Sequence, residues 1–446
     1  MILSLDCETS TYSKGSPYDS RNVMCNFGLY GIDYCNTFRI EHGDLPYGKA
    51  LAEGLGKIRE AEKLILFNAK FDLNHLRKYG LDYTNLSIWD CQLAHFIITN
   101  QTHPYPSLNE VASYYGLESK LDKIVEYWEN GVQTTDIPYE ELDEYLRQDI
   151  KLTYEIYEKQ QEHLKEMPEK RRLLSLSMQD LIVLADIEWN GIKYDFILSE
   201  KKAEELSSTL KDLDEQIYSL FPIDGINWNS NDHLSAVLYG GLVKYPVREA
   251  TQRVLKDGTV KHGERWGEAV VEMPRLVNPL PKTECAKEGY WKTSEDILRS
   301  LKAKGKAKKL IDLVLERSII DKELSTYALG LPKLYNERHF TGEIIHGRFN
   351  QCVARTGRLS SSQPNMQNLS KPIKQCLSHG IKVCKECNWY KHFHLDSELS
   401  TCGHPKVITP NPVTGKIKGS FCSNQRLDWE HEETCGKKGQ WYENLS

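Results

Sequence analysis

The chain begins Met1-Ile2-Leu3-Ser4-Leu5-Asp6-Cys7-Glu8-Thr9. The short, mostly apolar run at its start predicts a buried strand, and two carboxylates stand two positions apart on it. Because alternate residues of a strand point to one face of a sheet, Asp6 and Glu8 are expected on the same side. No basic segment of the kind that opens a secretion signal precedes the run. We therefore expect a cytoplasmic α/β protein, in the host cytoplasm if a phage encodes it.

Two further acidic clusters follow in order, Asn68-Ala69-Lys70-Phe71-Asp72 and Tyr145-Leu146-Arg147-Gln148-Asp149. Asp72 is predicted where a short strand passes into a helix. Tyr145 and Asp149 are four apart on a predicted amphipathic helix, so they share a face. Hydrolysis of a phosphodiester by two metal ions needs several hard oxygen ligands, which Mg²⁺ or Mn²⁺ prefers. The three clusters supply four carboxylates, and a tyrosine hydroxyl that can position the attacking water.

Hydrophobic periodicity predicts a mixed sheet flanked by helices up to Pro168, and a mainly helical region after it. The predicted strands are Ile2–Leu5, Val23–Tyr30, Thr37–Ile40 and Leu64–Phe67. The predicted helices are Lys49–Ala61, Phe71–Tyr79, Pro138–Glu166, Arg171–Asp186, Glu200–Ser219 and Thr293–Leu334. A patch containing Gly and Pro at about 222–292 is predicted to be less regular, and residues 344–370 are predicted to be extended and rich in turns.

In order and spacing, the acidic clusters resemble the DEDDy subgroup of 3′–5′ exonucleases, whose fold is ribonuclease H-like. The resemblance implies a metal site made of four carboxylates, together with a tyrosine that positions water: Asp6, Glu8, Asp72, Asp149 and Tyr145. Asp90 falls where this family often has an aspartate that supports the fold, and we do not count it as a ligand.

A second signature lies near the end of the helical region: His346-Gly347-Arg348-Phe349, Thr356-Gly357-Arg358-Leu359-Ser360-Ser361 and Pro364-Asn365-Met366-Gln367-Asn368-Leu369. An arginine here can donate to minor-groove acceptors, which every base pair presents, so it would check geometry without choosing sequence. The string resembles the phage-type family A DNA polymerases. The segments Leu184–Ile192, Asn227–Ser230 and Trp291–Ser294 resemble landmarks around the thumb of that family. The expected DNA contacts are Arg355, Arg358, Ser361, Asn365, Gln367 and Asn368.

Charge is distributed unevenly behind a formal net charge of −6. The first 170 residues are rich in acidic side chains, whereas residues 299–374 are rich in basic ones that suit a phosphate backbone. The expected partner is DNA, as primer–template and as single-stranded 3′ ends. Beyond about residue 370 we find neither the two palm aspartates of the family nor its nucleotide-binding helix. We therefore expect that this chain alone cannot add nucleotides.

The tail from residue 371 is rich in cysteine, and clustered cysteines without a secretion signal favour zinc over disulfides. The expected zinc ligands are Cys384, Cys387, Cys402 and Cys422, with His404, His431 and Cys435 as substitutes. Free thiols in a small aromatic-rich module are the alternative. The tail resembles small Cys-rich proteins of unknown role that phage genomes encode.

We thus predict a ribonuclease H-like α/β exonuclease domain (residues 1–168), a mainly helical thumb-like region with the start of a palm (169–370) and a small Cys-rich module (371–446). The predicted function is 3′–5′ exonuclease and DNA binding, with Mg²⁺ or Mn²⁺, possible structural Zn²⁺ and no membrane partner. Two alternatives stay open. The chain could be the N-terminal subunit of a split polymerase whose palm is on another chain, or a non-catalytic DNA-binding remnant.

Overall fold

The computed structural model describes residues 1–44, 46–118, 123–254 and 260–378, and the backbone of four short strands farther along the chain. The chain divides into two compact units. The first combines Met1–Phe196 with Lys333–Ser446, and the second is Ile197–Pro332. The domain boundaries predicted at residues 168 and 370 refer to family modules and stay predictions.

The secondary structure is numbered here in chain order. The strands are β1 (Ile2–Thr9), β2 (Met24–Gly31), β3 (Tyr34–Arg39), β4 (Lys63–Leu66), β5 (Ile88–Asp90), β6 (Ile192–Tyr194), β7 (Gly241–Val254), β8 (Val260–Met273), β9 (Ile344–Ile345), β10 (Arg348–Asn350), β11 (Ser360–Ser362), β12 (Leu377–Ser378), β13 (Tyr390–Lys391), β14 (Thr401–Cys402), β15 (Ile408–Pro410) and β16 (Ile417–Phe421). The helices are α1 (Gly48–Glu60), α2 (Ala69–Lys78), α3 (Cys91–Ile98), α4 (Leu108–Tyr114), α5 (Lys123–Glu129), α6 (Tyr139–Glu166), α7 (Lys170–Asn190), α8 (Phe196–Leu220), α9 (Asn231–Tyr239), α10 (Glu295–Ser300), α11 (Gly305–Lys322), α12 (Gly330–Glu337) and α13 (Lys371–Lys374).

A five-stranded mixed sheet in the order β3-β2-β1-β4-β5 forms the centre of the first unit. The pairs β1–β2 and β2–β3 are antiparallel, whereas β1–β4 and β4–β5 are parallel. β1 is the middle strand and runs on past the predicted end at Leu5 to Thr9, so Asp6 and Glu8 both lie in the sheet. The α/β prediction for this part of the chain is confirmed.

Helix α6 packs close to the face of the sheet that carries Asp6 and Glu8. The close approach occurs at Gly28 of β2, where an added Cβ would lie 2.9 Å from Ile150 Cδ1 and 3.2 Å from Leu146 Cγ. The Ser4 hydroxyl of β1 donates to the Ile150 carbonyl at 2.5 Å. Glycine therefore lets the helix backbone approach the sheet, and the hydroxyl holds it in register.

A buried ion pair joins three separate segments of the first unit. The Lys70 ammonium on α2 contacts both the Glu188 carboxylate on α7 and the Phe349 carbonyl on β10. The same carboxylate accepts a 2.7 Å hydrogen bond from the Phe349 N–H. The Glu188 side chain is only 5% exposed and that of Lys70 17%, so water screens the pair poorly. Removing either partner would leave the other charge buried and unpaired.

The second unit is helical around its own core, but the prediction that the patch at about 222–292 is less regular was wrong. The patch contains α9 and a long hairpin in which all of β7 pairs with β8. Residues 243–248 alternate apolar and polar side chains, a strand signal that the prediction overlooked. The strands are held by the full ladder of backbone pairs and by cross-strand ion pairs such as Arg248–Glu264 and Lys244–Glu268.

The segment after the second unit is extended and rich in turns, as predicted, with β9, β10 and β11 joined by loops. β6 pairs with β9 on one side and β12 on the other. Most predicted zinc ligands (Cys384, Cys387, Cys422, His404, His431 and Cys435) lie outside the described residues, and only the backbone of Cys402 is described. In the described part of the chain, no helix has both the length and the apolar character to cross a membrane.

Gly28→Val should weaken the first unit, because the added methyl groups must push against Ile150 and Leu146. We expect the free energy of unfolding to fall by about 1–3 kcal/mol, the usual cost of overfilling a packed contact. Gly56→Val in α1 is the matched control, since a Cβ there meets nothing within 4 Å. Chemical denaturation followed by circular dichroism measures both. Equal stability of the two variants would contradict the close packing of α6.

His75 should make the first unit sensitive to acid. The imidazole is buried, it donates from Nε2 to the Gly15 carbonyl at 2.8 Å, and burial lowers its pKa to about 4. The unfolded chain takes up this proton near pH 6.5, so stability is present above that pH and is lost as the pH falls toward 4. Linkage puts the loss between pH 7 and pH 5 at about 2 kcal/mol. Denaturation at both pH values should give a smaller difference for His75→Gln than for the wild type, and identical differences would refute the assignment.

Candidate active site

Three of the predicted carboxylates meet where α6 crosses β1. One oxygen each from Asp6, Glu8 and Asp149 can be chosen so that all three lie within 4.8 Å of one another. Glu8 and Asp149 are each 6% exposed. Like charges held this close and away from water repel strongly, so the arrangement favours a cation or a shared proton. Within the described ranges, no other group of His, Cys, Asp and Glu side chains is arranged to hold a metal ion.

Asp72 lies beside this group but is not one of the three. It is in the first turn of α2, and its Oδ1 accepts a 3.0 Å hydrogen bond from the Cys7 backbone N–H. Burial raises the pKa of the Asp72 carboxyl, and the negative charge of Asp6 raises it further, whereas the Cys7 bond opposes this. Asp72 is therefore adjacent to Asp6, on the side of β1 that faces α2.

Asp90 organises the turn that presents Asp72. Its Oδ2 accepts from the Ala69 N–H at 2.7 Å, and its Oδ1 accepts from the Leu93 N–H at 2.9 Å, which caps α3. Between β4 and α2 the chain turns through Asn68, whose φ of 62° is a left-handed conformation that asparagine tolerates. Asp90 therefore supports the fold, as expected from its position.

Tyr145 lies one helical turn before Asp149 on α6 and is half-buried. Its ring packs edge-on against Trp128, with 5.9 Å between ring centroids. The Trp128 indole N–H donates to the Thr134 hydroxyl at 3.1 Å, which fixes the tryptophan. A cleft of about 750 Å³ opens beside Tyr145 and is also lined by Gln148 of the same helix. The aromatic contact positions the tyrosine at the mouth of this cleft.

Two buried thiols near the carboxylates have raised pKa values. Burial raises the pKa of Cys7 well above the ordinary value, and Asp72 and Asp6 raise it further. Burial also raises the pKa of Cys25 to about 12, with Glu8 the next cause. Both cysteines therefore stay protonated and are poor metal ligands. The available donors are hard carboxylate oxygens, which fit Mg²⁺ or Mn²⁺ better than a soft metal.

The second predicted site is a loop between two short paired strands. β10 and β11 pair antiparallel with Phe349 opposite Ser361. Five of the residues predicted to contact DNA, on this loop and just after it, have exposed side chains: Arg355, Arg358, Asn365, Gln367 and Asn368. Ser361 is the exception, because it is 6% exposed and its hydroxyl accepts from the Met366 N–H at 3.1 Å. Its position suits shaping the loop rather than contacting phosphate.

Two residues near the carboxylates were missed by reasoning from the sequence. Trp128 gave no usable signal, because a tryptophan in a short helix is ordinary. Asn26 did give one, since it is a polar residue in the apolar run that predicts β2. It lies directly opposite Glu8 in the sheet.

Comparison with known protein families gives two matches along the chain. Residues 2–165 match the family of the 3′–5′ exonuclease domain, and residues 267–387 match DNA polymerase family A. Together the two matches cover more than half of the chain. The first match contains all five residues of the candidate site, and the second contains the β10–β11 loop.

The individual proteins to which the chain is similar include several bacterial DNA polymerases I. DNA polymerase I of Bacillus subtilis is 27% identical over 325 residues, covering 73% of this chain and 31% of that protein. DNA polymerase I of Synechocystis is 27% identical over 327 residues, covering 71% and 28%. Thermostable DNA polymerase I of Thermus filiformis is 30% identical over 200 residues, covering 45% and 19%. The chain thus spans about a third or less of the length of these relatives.

A solved structure has a similar fold. It is the POL domain of Pol1 from M. smegmatis in complex with DNA primer-template and dNTP. The TM-score is 0.57 at 20% sequence identity, over 85% of this chain and 55% of that one. The mixed sheet, the family matches and the relatives agree with one another. The chain therefore carries a 3′–5′ exonuclease domain at residues 2–165 and a segment of DNA polymerase family A at residues 267–387.

Proposed function

We propose that this chain removes nucleotides from the 3′ end of DNA by hydrolysis that depends on a divalent metal ion. The observation that carries the proposal is the meeting of Asp6, Glu8 and Asp149 within 4.8 Å, inside the segment that matches an exonuclease family. Three carboxylates so close together, two of them buried, are costly without a cation. Their retention is best explained by a metal site, and Asp72 lies near enough to Asp6 for the charge of Asp6 to raise its pKa.

The chemistry can be divided among the residues of the site. Two divalent ions, when bound, would activate water and neutralise the charge that develops on the phosphate. Asp6, Glu8 and Asp149 would hold them, and Asp72 would complete the set from α2. The Tyr145 hydroxyl would orient the attacking water, and the Trp128 contact would keep that ring in place.

The β10–β11 loop is proposed to bind primer–template. The solved relative is described as a complex with a primer-template, and the same kind of partner suits the exposed arginines of this loop. Arg358 would donate to minor-groove acceptors, while Arg355 would contact phosphate. Asn365, Gln367 and Asn368 add amides to the same surface. The neighbouring basic side chains would strengthen binding in a salt-dependent way.

We further propose that this chain alone does not extend a primer. The sequence contains the motif that precedes the palm but neither the palm aspartates nor the nucleotide-binding helix. A split polymerase, with the palm on another chain, stays an alternative, as does a DNA-binding protein without catalysis. The phage-type assignment and zinc binding by the tail belong with these finer proposals.

Asp6→Ala should abolish shortening of a 5′-labelled primer–template in Mg²⁺, because it removes a ligand from the centre of the site. We expect a loss on the order of 1,000-fold, the equivalent of about 4 kcal/mol of transition-state stabilisation. Glu53→Ala, which removes an exposed carboxylate from α1, is the matched control and should cleave normally.

The same assay with dNTPs separates the alternatives. Shortening by the wild type without extension supports an exonuclease that lacks a palm, whereas extension would reveal an unrecognised polymerase site. If the wild type neither shortens nor extends the primer, the result favours a DNA-binding protein without catalysis or a subunit of a split polymerase. Substantial cleavage by Asp6→Ala would overturn the site assignment.

Arg358→Ala should weaken primer–template binding without affecting hydrolysis of short single strands, because the loop and the carboxylates are separate sites. Loss of one good base contact predicts roughly tenfold weaker binding. Arg172→Ala, at an exposed arginine of α7, controls for the loss of one positive charge. Fluorescence anisotropy in EDTA measures binding, and a labelled short oligonucleotide measures cleavage. An equal loss on both substrates would contradict separate roles.

A further inference from the structure

Asn26 is buried with no hydrogen bond to its side chain. The residue is 0% exposed, and neither Oδ1 nor Nδ2 has a partner among the residues that the structure describes. An amide with both polar atoms buried and unpaired is rare in folded proteins and calls for an explanation. Its neighbours in the strand, Cys25 and Phe27, are buried apolar residues.

The strand register aims this amide at the carboxylate site. Asn26 pairs with Glu8, and Gly28 pairs with Asp6, across the antiparallel β1–β2 ladder. Side chains directly opposite each other in such a ladder lie on one face, with Cβ atoms about 4.5–5.5 Å apart. Asn26 is therefore the nearest cross-strand neighbour of the Glu8 side chain and lies on the same side of the sheet.

Contacts of α6 establish what covers this face. Tyr30 packs edge-on against Tyr154, with 5.5 Å between ring centroids, and Gly28 lies beneath Ile150 and Leu146. Two residues of strand advance about 6.7 Å, and one turn of helix about 5.4 Å. The next step along β2 from Gly28 brings Asn26 beneath the turn of α6 that carries Tyr145. Asn26 also pairs with Arg39 of β3, so the amide lies between Glu8 and Arg39 in the sheet, on the side that α6 covers.

We propose that Asn26 is a positioning residue of the metal site: when a divalent cation is bound, its Nδ2 would donate to the Glu8 carboxylate and hold it in the orientation that binds the cation. The inference rests on the proposed function. An amide is well suited to this task, because it donates a hydrogen bond without adding positive charge that would compete with the metal ion. Groups that orient metal ligands in this way commonly change metal affinity or activity by 10–100-fold when they are removed.

Asn26→Leu tests the proposal because it keeps the number of side-chain heavy atoms and removes both hydrogen-bonding groups. We expect affinity for Mn²⁺, measured by titration calorimetry, to fall about 10–100-fold. The melting temperature in EDTA should be unchanged or higher, since a buried unpaired amide has been removed. On DNA, kcat should fall while KM stays the same. Asn26→Ala, which cannot overfill the site, should give the same loss of Mn²⁺ affinity.

Phe27→Leu is the control for a general disturbance of β2, because its side chain is on the opposite face of the sheet. It should lower the melting temperature and leave Mn²⁺ affinity unchanged. Wild-type Mn²⁺ affinity in both Asn26 variants, or unfolding of both in EDTA, would overturn the proposal and make the amide structural. Comparing Mn²⁺ binding by the wild type and Asp6→Ala tests the metal site separately from the role of Asn26. If neither protein binds Mn²⁺, both the metal site and the role of Asn26 are refuted. If only the wild type binds Mn²⁺, the metal site is supported, and the Asn26 variants then test the role of Asn26.

Discussion

The close packing of α6 on the β1–β2 face is the constraint on which the site depends. Asp6 and Glu8 are brought onto one side of the sheet by the strand itself, but Asp149 reaches them only because the helix comes near enough. That approach depends on Gly28, which leaves room for Ile150 and Leu146, and on the Ser4 hydroxyl that anchors the helix backbone. A larger residue at Gly28 would separate the carboxylates without changing any of them.

A second constraint connects the carboxylate site with the loop proposed to bind DNA. Lys70 stands two residues before Asp72, at the start of α2, and its ammonium reaches the Glu188 carboxylate and the Phe349 carbonyl. Phe349 lies in β10, which pairs with the strand that follows Arg358. The buried pair thus ties the turn that presents Asp72 to the strands that present the arginines. Displacing β10 would expose or unpair a buried charge, so the two regions are held together by electrostatics as well as by packing.

The two regions also divide the charge of the chain according to their chemistry. The exonuclease region is acidic. Burial, and after it the nearby carboxylates, raise the thiol pKa values of Cys7 and Cys25 in this region. Such a surface attracts divalent cations but repels a phosphate backbone unless metal ions intervene. The β10–β11 loop presents the exposed arginines Arg355 and Arg358 instead, and positive side chains suit a phosphate backbone.

Sequence alone determined the strand that carries Asp6 and Glu8 and the helix that carries Tyr145 and Asp149, because period-two and period-3.6 patterns reveal which face of an element a residue occupies. The family was indicated by the resemblance of its motifs. Tertiary structure decided which faces meet. It brought Asp149 close to Asp6 and Glu8. It also placed the Asp72 carboxylate where it accepts a hydrogen bond from the Cys7 N–H, and it buried the Ser361 side chain within its own loop. It also revealed the β7–β8 hairpin and the unpaired amide of Asn26. The grouping of the carboxylates depends on contacts between segments distant in the chain, and local periodicity carries no information about such contacts.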